Sequence, residues 1–175
     1  MSMTGEERRA WLKDHLKGTT PIAGHELSAL LGVSRQVIVQ DIALLRAEGY
    51  PIISTPRGYL FWEKPTGSIR TVVAVKHASS PEVVREELTT MVKSGVTVVN
   101  VIVAHPLYGE LVGNLNLSTL DDVDRFMQNM QQMGASLLSE LTDGVHLHTL
   151  EGAPDTIDRA KWALAHKGFL LQASS

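Results

Sequence analysis

Two histidines separated by one residue, His146 and His148, carry the clearest chemical potential in this chain. On a strand the side chains alternate, so a spacing of two puts both imidazoles on one face. That is the minimal arrangement for two ring nitrogens to share one ion. His77 closes a β-branched run and reaches the same rim if the two strands are neighbours. Glu87 adds an oxygen donor. Val84, Leu88 and Met91 lie at i, i+4 and i+7 of a helical pattern, and Glu87 falls within that apolar stripe. An acid there is costly unless it is paired or binds a cation. Glu86 lies beside it and faces further outward. A blander reading stands next to this one: a histidine on a sheet is usually a satisfied core or surface residue, and an acid early in a helix is favoured by the helix dipole. His15, His25 and His166 fit ordinary surface positions, and His105 ends a buried run in Ala104-His105-Pro106-Leu107-Tyr108-Gly109.

These side chains need a scaffold, and the pattern supplies one. Ile69–Lys76 reads as a strand. Ser80 caps a helix with Pro81 at its first position, running to Lys93 and stopped by Gly95. Val96–Ala104 is a buried strand, and Tyr108–Leu117 pairs with it as a hairpin. Ser118, with Asp121 in the capping-box position, opens the next helix, whose inner face is Leu120, Val123, Met127 and Met130. Leu137–Leu141 and Val145–Leu150 read as two short strands joined at Asp143-Gly144. A last helix starts at Asp155 and ends at Lys167-Gly168, and Phe169–Gln172 is a final strand. The order implies an α+β domain with helices layered on a mainly antiparallel sheet. One sheet face or edge is left open to pair with a second copy.

Residues 22–61 hold a different kind of chemistry. Leu27, Leu30 and Leu31 line a short helix that Gly32 ends, Val33 plugs the turn, and Ser34 caps a second helix. Val37, Ile38, Asp41, Ile42, Leu44 and Leu45 continue at helical period and turn inward. Ser34, Arg35, Gln36 and Gln40 then face outward. Arg suits guanine edges, Gln adenine edges and Ser either a base or a phosphate. Two short β runs around Thr55-Pro56-Arg57-Gly58 make a hairpin whose tip, Arg57, is placed to touch phosphate or the minor groove. The alternative is the same fold used for protein contacts. Charge does not decide between them, because residues 1–64 carry eight Lys/Arg against seven Asp/Glu.

Bulk composition narrows the classes. The 175 residues suit one long domain or two short ones, and a linker-like Glu63–Ser68 separates 1–64 from 69–173. With no cysteine, disulfides and thiolate metal sites are excluded. No apolar run approaches the roughly 18 residues of a membrane span, and no signal-peptide core is present, so a cytoplasmic protein is expected. Residues 65–175 are acidic, eight Lys/Arg against twelve Asp/Glu, and make a poor DNA surface.

Leu31–Ile38, Asp41–Gly49 and Arg57-Gly58-Tyr59 resemble the winged helix-turn-helix of the biotin-repressor type. Val75-Lys76-His77, Val103–Gly109 and Gly144–Thr149 resemble the three histidine motifs that name the 3H domain. The resemblance spans residues 69–172 or so. A winged helix followed by a 3H domain is the arrangement of bacterial nicotinic-acid-responsive repressors of NAD biosynthesis and niacin uptake. That family implies a dimeric repressor on a palindromic operator in double-stranded DNA, with nicotinic acid as corepressor. It also implies a divalent transition metal, nickel- or zinc-like, on His77, an acid matching Glu87, His146 and His148, and a phosphocarrier-like fold for the 3H domain. The stretch Ala78–Glu82 is slightly longer than usual in the family, which leaves Glu86 or Glu87 open as the acid.

On this reading nicotinate lies beside the metal, with His105, Tyr108 or backbone N–H groups as donors to its carboxylate. A metal sensor, in which the ion itself is the effector, is the alternative. An enzyme is not expected: no nucleophile motif appears, and no further acid beside the cluster stands out as a general base.

Overall fold

The structure is a computed structural model that describes residues 2–18, 20–62, 67–134 and 136–172. The chain divides into two compact units, 1–64 and 65–175. Most of the expected linker, residues 63–66, lies outside the described residues. Among the described residues, no single helix is long and apolar enough to cross a membrane.

The first unit holds α1 (Gly5–His15), α2 (Gly24–Leu31), α3 (Arg35–Ala47) and an antiparallel hairpin of β1 (Ile52–Thr55) and β2 (Gly58–Phe61). Leu12, Leu16, Leu27, Ile38, Ile42, Leu45 and Ile52 form its core. Gly32 takes a left-handed conformation, φ 64°, which lets α2 stop and α3 start at once. Ser34 Oγ accepts a hydrogen bond from Val37 N–H and caps α3. Leu30 and Leu44, expected inside, are 60% and 49% exposed. Helices of 8 and 13 residues need only a narrow stripe to close so small a core.

The second unit holds β3 (Ile69–Lys76), α4 (Pro81–Lys93), β4 (Thr97–His105), β5 (Gly109–Leu117), α5 (Leu120–Met133), a 3₁₀ turn (Leu138–Thr142), β6 (Val145–Gly152) and α6 (Pro154–His166). The sheet order is β3-β6-β4-β5, and every paired neighbour is antiparallel. β6 is thus slotted between β3 and β4, and it carries His146 and His148 into the middle of the sheet. Their helix-side partners are Val75 and Val73 on β3. The core lies between this face and α4, α5 and α6, around Leu88, Met91, Val98, Leu117, Leu150, Ile157 and Leu164.

Three local readings need correction. α5 is capped by Thr119, not Ser118, in a capping box with Asp122. Ser118 instead pairs its hydroxyl with Thr97, and the shift by one residue leaves Leu120 47% exposed while Val123 and Met127 stay buried. Leu137–Leu141 is not a strand. β6 already has β3 and β4 on its two edges, so this segment finds no ladder and winds into the 3₁₀ turn. Phe169–Gln172 makes a single bridge, Leu170 to Val75, rather than a full strand.

Candidate functional site

β3 ends one residue before His77. The chain then turns through Ser80, whose hydroxyl accepts from Val83 N–H, into α4 with Pro81 at its first position. That fixes the phase of α4. Val84, Glu87, Leu88 and Met91 face the sheet, and Glu87 is 1% exposed. Glu86 is exposed and bonds to Lys167 at 3.2 Å. Of the two acids, Glu87 is the one that meets the histidines.

All three rings are oriented the same way. The Nδ1–H groups of His77, His146 and His148 donate to the backbone carbonyls of Ala78, Gly144 and Asn100 at 2.7, 2.8 and 2.8 Å. A carbonyl only accepts, so each Nδ1 carries the proton and each Nε2 is left to point inward. His146 Nε2 lies 3.1 and 3.3 Å from the Glu87 oxygens, and His148 Nε2 lies 2.5 Å from Oε1. His77 Nε2 crowds against Glu87 Oε2 in an ion-pair contact, yet it is buried and has no hydrogen-bond partner. The donor atoms of His77, Glu87 and His146 all lie within 4.8 Å of one another. His148 joins the cluster through Glu87.

Burial would push the Glu87 carboxyl up. The charge on His148, hydrogen bonds from His146 and His148, and the charge on His146 outweigh it and hold it down at about 2. An ionised carboxylate so deeply buried needs positive charge. Without protons on the rings, three lone pairs would face an anion. A divalent cation satisfies all four groups at once, including His77 Nε2, which is buried without a hydrogen-bond partner. The donor set, three imidazoles and one carboxylate, fits a borderline ion such as zinc or nickel. A cavity of about 40 Å³ adjoins the cluster, walled by Val101, Leu115, Phe126, Leu137, Leu138 and Ser139.

His105 and Tyr108 are not part of this arrangement. His105 Nδ1 accepts from Leu107 and Tyr108 N–H at 3.1 and 3.2 Å and so shapes the β4–β5 turn. Tyr108 is 70% exposed, and neither residue lines the cavity.

In the first unit Ser34, Arg35, Gln36 and Gln40 are exposed along the start of α3, and Arg57 is half-buried in the β1–β2 turn. Gly58 packs so tightly that a Cβ there would come 2.2 Å from Ile22 O, and Ile22 bridges to Tyr59. The hairpin is thereby tied to the residues that lead into α2. On the inner side of α3, Asp41 is 2% exposed and pairs with Arg8 and Arg9 at 2.8 and 3.2 Å.

Several contributors escaped the sequence reading. Gly144 and Asn100 orient His146 and His148 through their carbonyls, and Asn100 Oδ1 also accepts from Thr149 N–H at 3.1 Å where β4 bulges. Ser139 and Phe126 wall the cavity. Val39 is 41% exposed between Gln36 and Gln40. The Asp143-Gly144 pair marked a turn, but its contact with residues near 77 has no local signal.

A helix-turn-helix domain model matches residues 11–60, and the 3H domain model matches residues 70–173. A probable transcription repressor, NiaR, of Thermotoga maritima is 47% identical over 154 residues, covering 87% of this chain and 86% of its own length. The transcription repressor NadR of Bacillus subtilis is 40% identical over 181 residues, covering 98% of this chain and 97% of its own. The chain belongs to this family of 3H-domain transcription repressors. It is therefore a DNA-binding repressor and not an enzyme. Its first unit carries the DNA-binding fold, and its second carries the histidine cluster.

Proposed function

We propose that this protein is a cytoplasmic repressor of NAD-biosynthesis or niacin-uptake genes, with nicotinic acid as corepressor. It binds a divalent transition metal, nickel or zinc, through His77, Glu87, His146 and His148. A homodimer sets two α3 helices against a palindromic operator, with Ser34, Arg35, Gln36, Gln40 and Arg57 as the contacts. The observation that carries this reading is the convergence of three Nδ1-anchored imidazoles on one buried carboxylate beside a cavity walled by Phe126 and aliphatic side chains.

The chain's own residues set up the ligand site. The Ala78, Gly144 and Asn100 carbonyls hold the rings in the tautomer that ligates. The bound metal supplies charge for Glu87 and a Lewis-acidic anchor for a ligand donor. Phe126, Leu115 and Val101 offer an apolar surface to a pyridine ring, and Ser139 is the hydroxyl in the wall. The His105–Tyr108 hairpin, expected to take the carboxylate, stands outside this cavity.

The cavity holds no more than a few waters. A six-membered ring enters only if a wall moves, and the wall with least regular structure is the 3₁₀ turn Leu138–Thr142. Corepressor binding then favours the displaced state only by its differential affinity for it. The cavity's small size supports a second reading, in which the metal itself is the effector.

Operator binding by metal-loaded protein, with and without nicotinate, tests the reading. Tighter binding with nicotinate is expected. Affinity that follows metal but ignores nicotinate selects the metal sensor.

A further inference from the structure

The face of the second unit's sheet turned away from α4, α5 and α6 is patterned in rows. Ala74, Leu147, Ile102 and Val112 are successive cross-strand partners and form one apolar row across all four strands. Val112 is 54% exposed. Two residues along the strands, the next row has Lys76 at the β3 edge, paired with Val145, and Glu110 at the β5 edge, paired with Ala104. Lys76 and Glu110 are both exposed. On the other side of the apolar row lie Val72, Thr149, Asn100 and Asn114. One charge of each sign therefore sits at opposite edges of the same row, with small apolar residues between.

This pattern is self-complementary under one operation only. A two-fold axis parallel to the strands lays each row on its own reverse in a second copy. Ala74 then meets the partner's Val112, and Leu147 meets the partner's Ile102. Lys76 meets the partner's Glu110 twice over. A two-fold along the apolar row instead sets Lys76 against Val72 and Glu110 against Asn114, with no charge matched. We infer that this sheet face is the surface on which a second copy of the chain docks, sheet to sheet, with Lys76–Glu110 pairs closing both edges. Aligned sheets pack about 10 Å apart with strands within about 30° of each other, a gap that a lysine and a glutamate span together. Four strands about 4.8 Å apart and roughly 25 Å long give a flat face of about 500 Å² per copy. The pair then buries about 1,000 Å², at the lower bound of a specific interface. The inference rests on the homodimer in the proposed function and assigns its surface.

The test is the mass of the full chain by sedimentation velocity across a dilution series, with metal and nicotinate left out. The wild type is expected to dimerise, and Val112→Lys to raise the dissociation constant at least tenfold. Lys76→Glu alone and Glu110→Lys alone each weaken the dimer, and the double swap restores it. Circular dichroism melts of the four variants, all at exposed positions, separate loss of association from loss of folding. A wild type that stays monomeric throughout overturns the homodimer itself. A dimeric wild type with all variants unchanged overturns this surface while the homodimer stands, and single swaps that the double swap fails to rescue overturn the two-fold arrangement.

Discussion

Gly144 lies so close to His77 that a Cβ on it would come 1.9 Å from the His77 carbonyl oxygen. Its φ of 87° already excludes most side chains, and its own carbonyl accepts from the His146 ring and, at 3.4 Å, from His77 N–H. One residue without a side chain thus sets the spacing of two candidate ligands. Gly144→Ala costs about 1–3 kcal/mol through backbone conformation alone, and it must also push His77 away from Glu87. The expected result is a modest loss of melting temperature with almost complete loss of metal-induced stabilisation. Gly134→Ala is the control: φ is 61°, nothing lies within 4 Å, and metal stabilisation should persist.

Glu87 and Asp41 are both buried acids, but their partners differ. Asp41 is held between Arg8 and Arg9, which fastens α1 to α3. Removing the acid strands two guanidiniums in a partly buried site. Asp41→Ala is expected to destabilise the first unit by about 3–5 kcal/mol and to weaken operator binding in proportion to the unfolded fraction. Chemical denaturation in a Trp162→Phe background, followed by the fluorescence of the two tryptophans of the first unit, measures this, and an unchanged midpoint would count against the ion pair's role.

Glu87 has no guanidinium or ammonium partner in the cluster, so its sign with pH can be read in metal-free protein. Its folded-state pKa, about 2, lies below the ordinary 4.5. The folded state therefore holds fewer protons on this group than the unfolded chain does. The stabilisation is full above the ordinary carboxyl value and is lost as pH falls toward 2. In chelator-treated protein, the difference in melting temperature between wild type and Glu87→Gln should be largest above pH 4.5 and shrink toward zero near pH 2. With metal added, binding requires bare Nε2 atoms, so affinity should fall with acidification and calorimetry in two buffers should detect proton release. A metal affinity independent of pH would rule these rings out as ligands.

How much of this was legible beforehand follows from the range over which each signal acts. The His146–His148 pair and the inward Glu87 are set by periods of 2 and 3.6, which act within a few residues. The helix-turn-helix was equally plain, since Leu27, Gly32, Ser34 and Ile38 lie within one short run. What did not show was anything fixed by contact between distant segments. The slot of β6 between β3 and β4 decides that Leu137–Leu141 has no ladder to join. Gly144 earns its place from a residue 67 positions away, and Asn100 from a bulge visible only once β4 and β6 are paired. The His105 motif differs: its Nδ1 accepts from Leu107 N–H in the turn beside it, a local contact that the motif does not announce.

The cavity and the hairpin make opposing predictions for the corepressor. Phe126 lines the cavity beside the cluster, whereas Tyr108 is exposed at the β4–β5 turn. Phe126→Ala should abolish stabilisation by nicotinate while leaving stabilisation by metal, and Tyr108→Ala should leave both. Thermal shifts with metal alone and with metal plus nicotinate give the readout. The reverse pattern would return the carboxylate contact to His105 and Tyr108.

On α3, Gln36, Val39 and Gln40 are exposed together on successive turns. Glutamine pairs with the adenine N6 and N7 edge, and an apolar side chain meets a thymine methyl, so this face is expected to favour A·T pairs. Arg35 lies to one side: a Cβ on Gly24 would come 3.5 Å from its Nε, which places it against the start of α2. Gln40→Ala should therefore relax base preference at one position of each half-site, at a cost of about 1–3 kcal/mol against the preferred base. Arg35→Ala should weaken binding to all sequences alike and lower the salt dependence. Binding to a library of half-site variants at two salt concentrations separates the two, and equal loss across all sequences for both variants would exclude a base-reading role for Gln40.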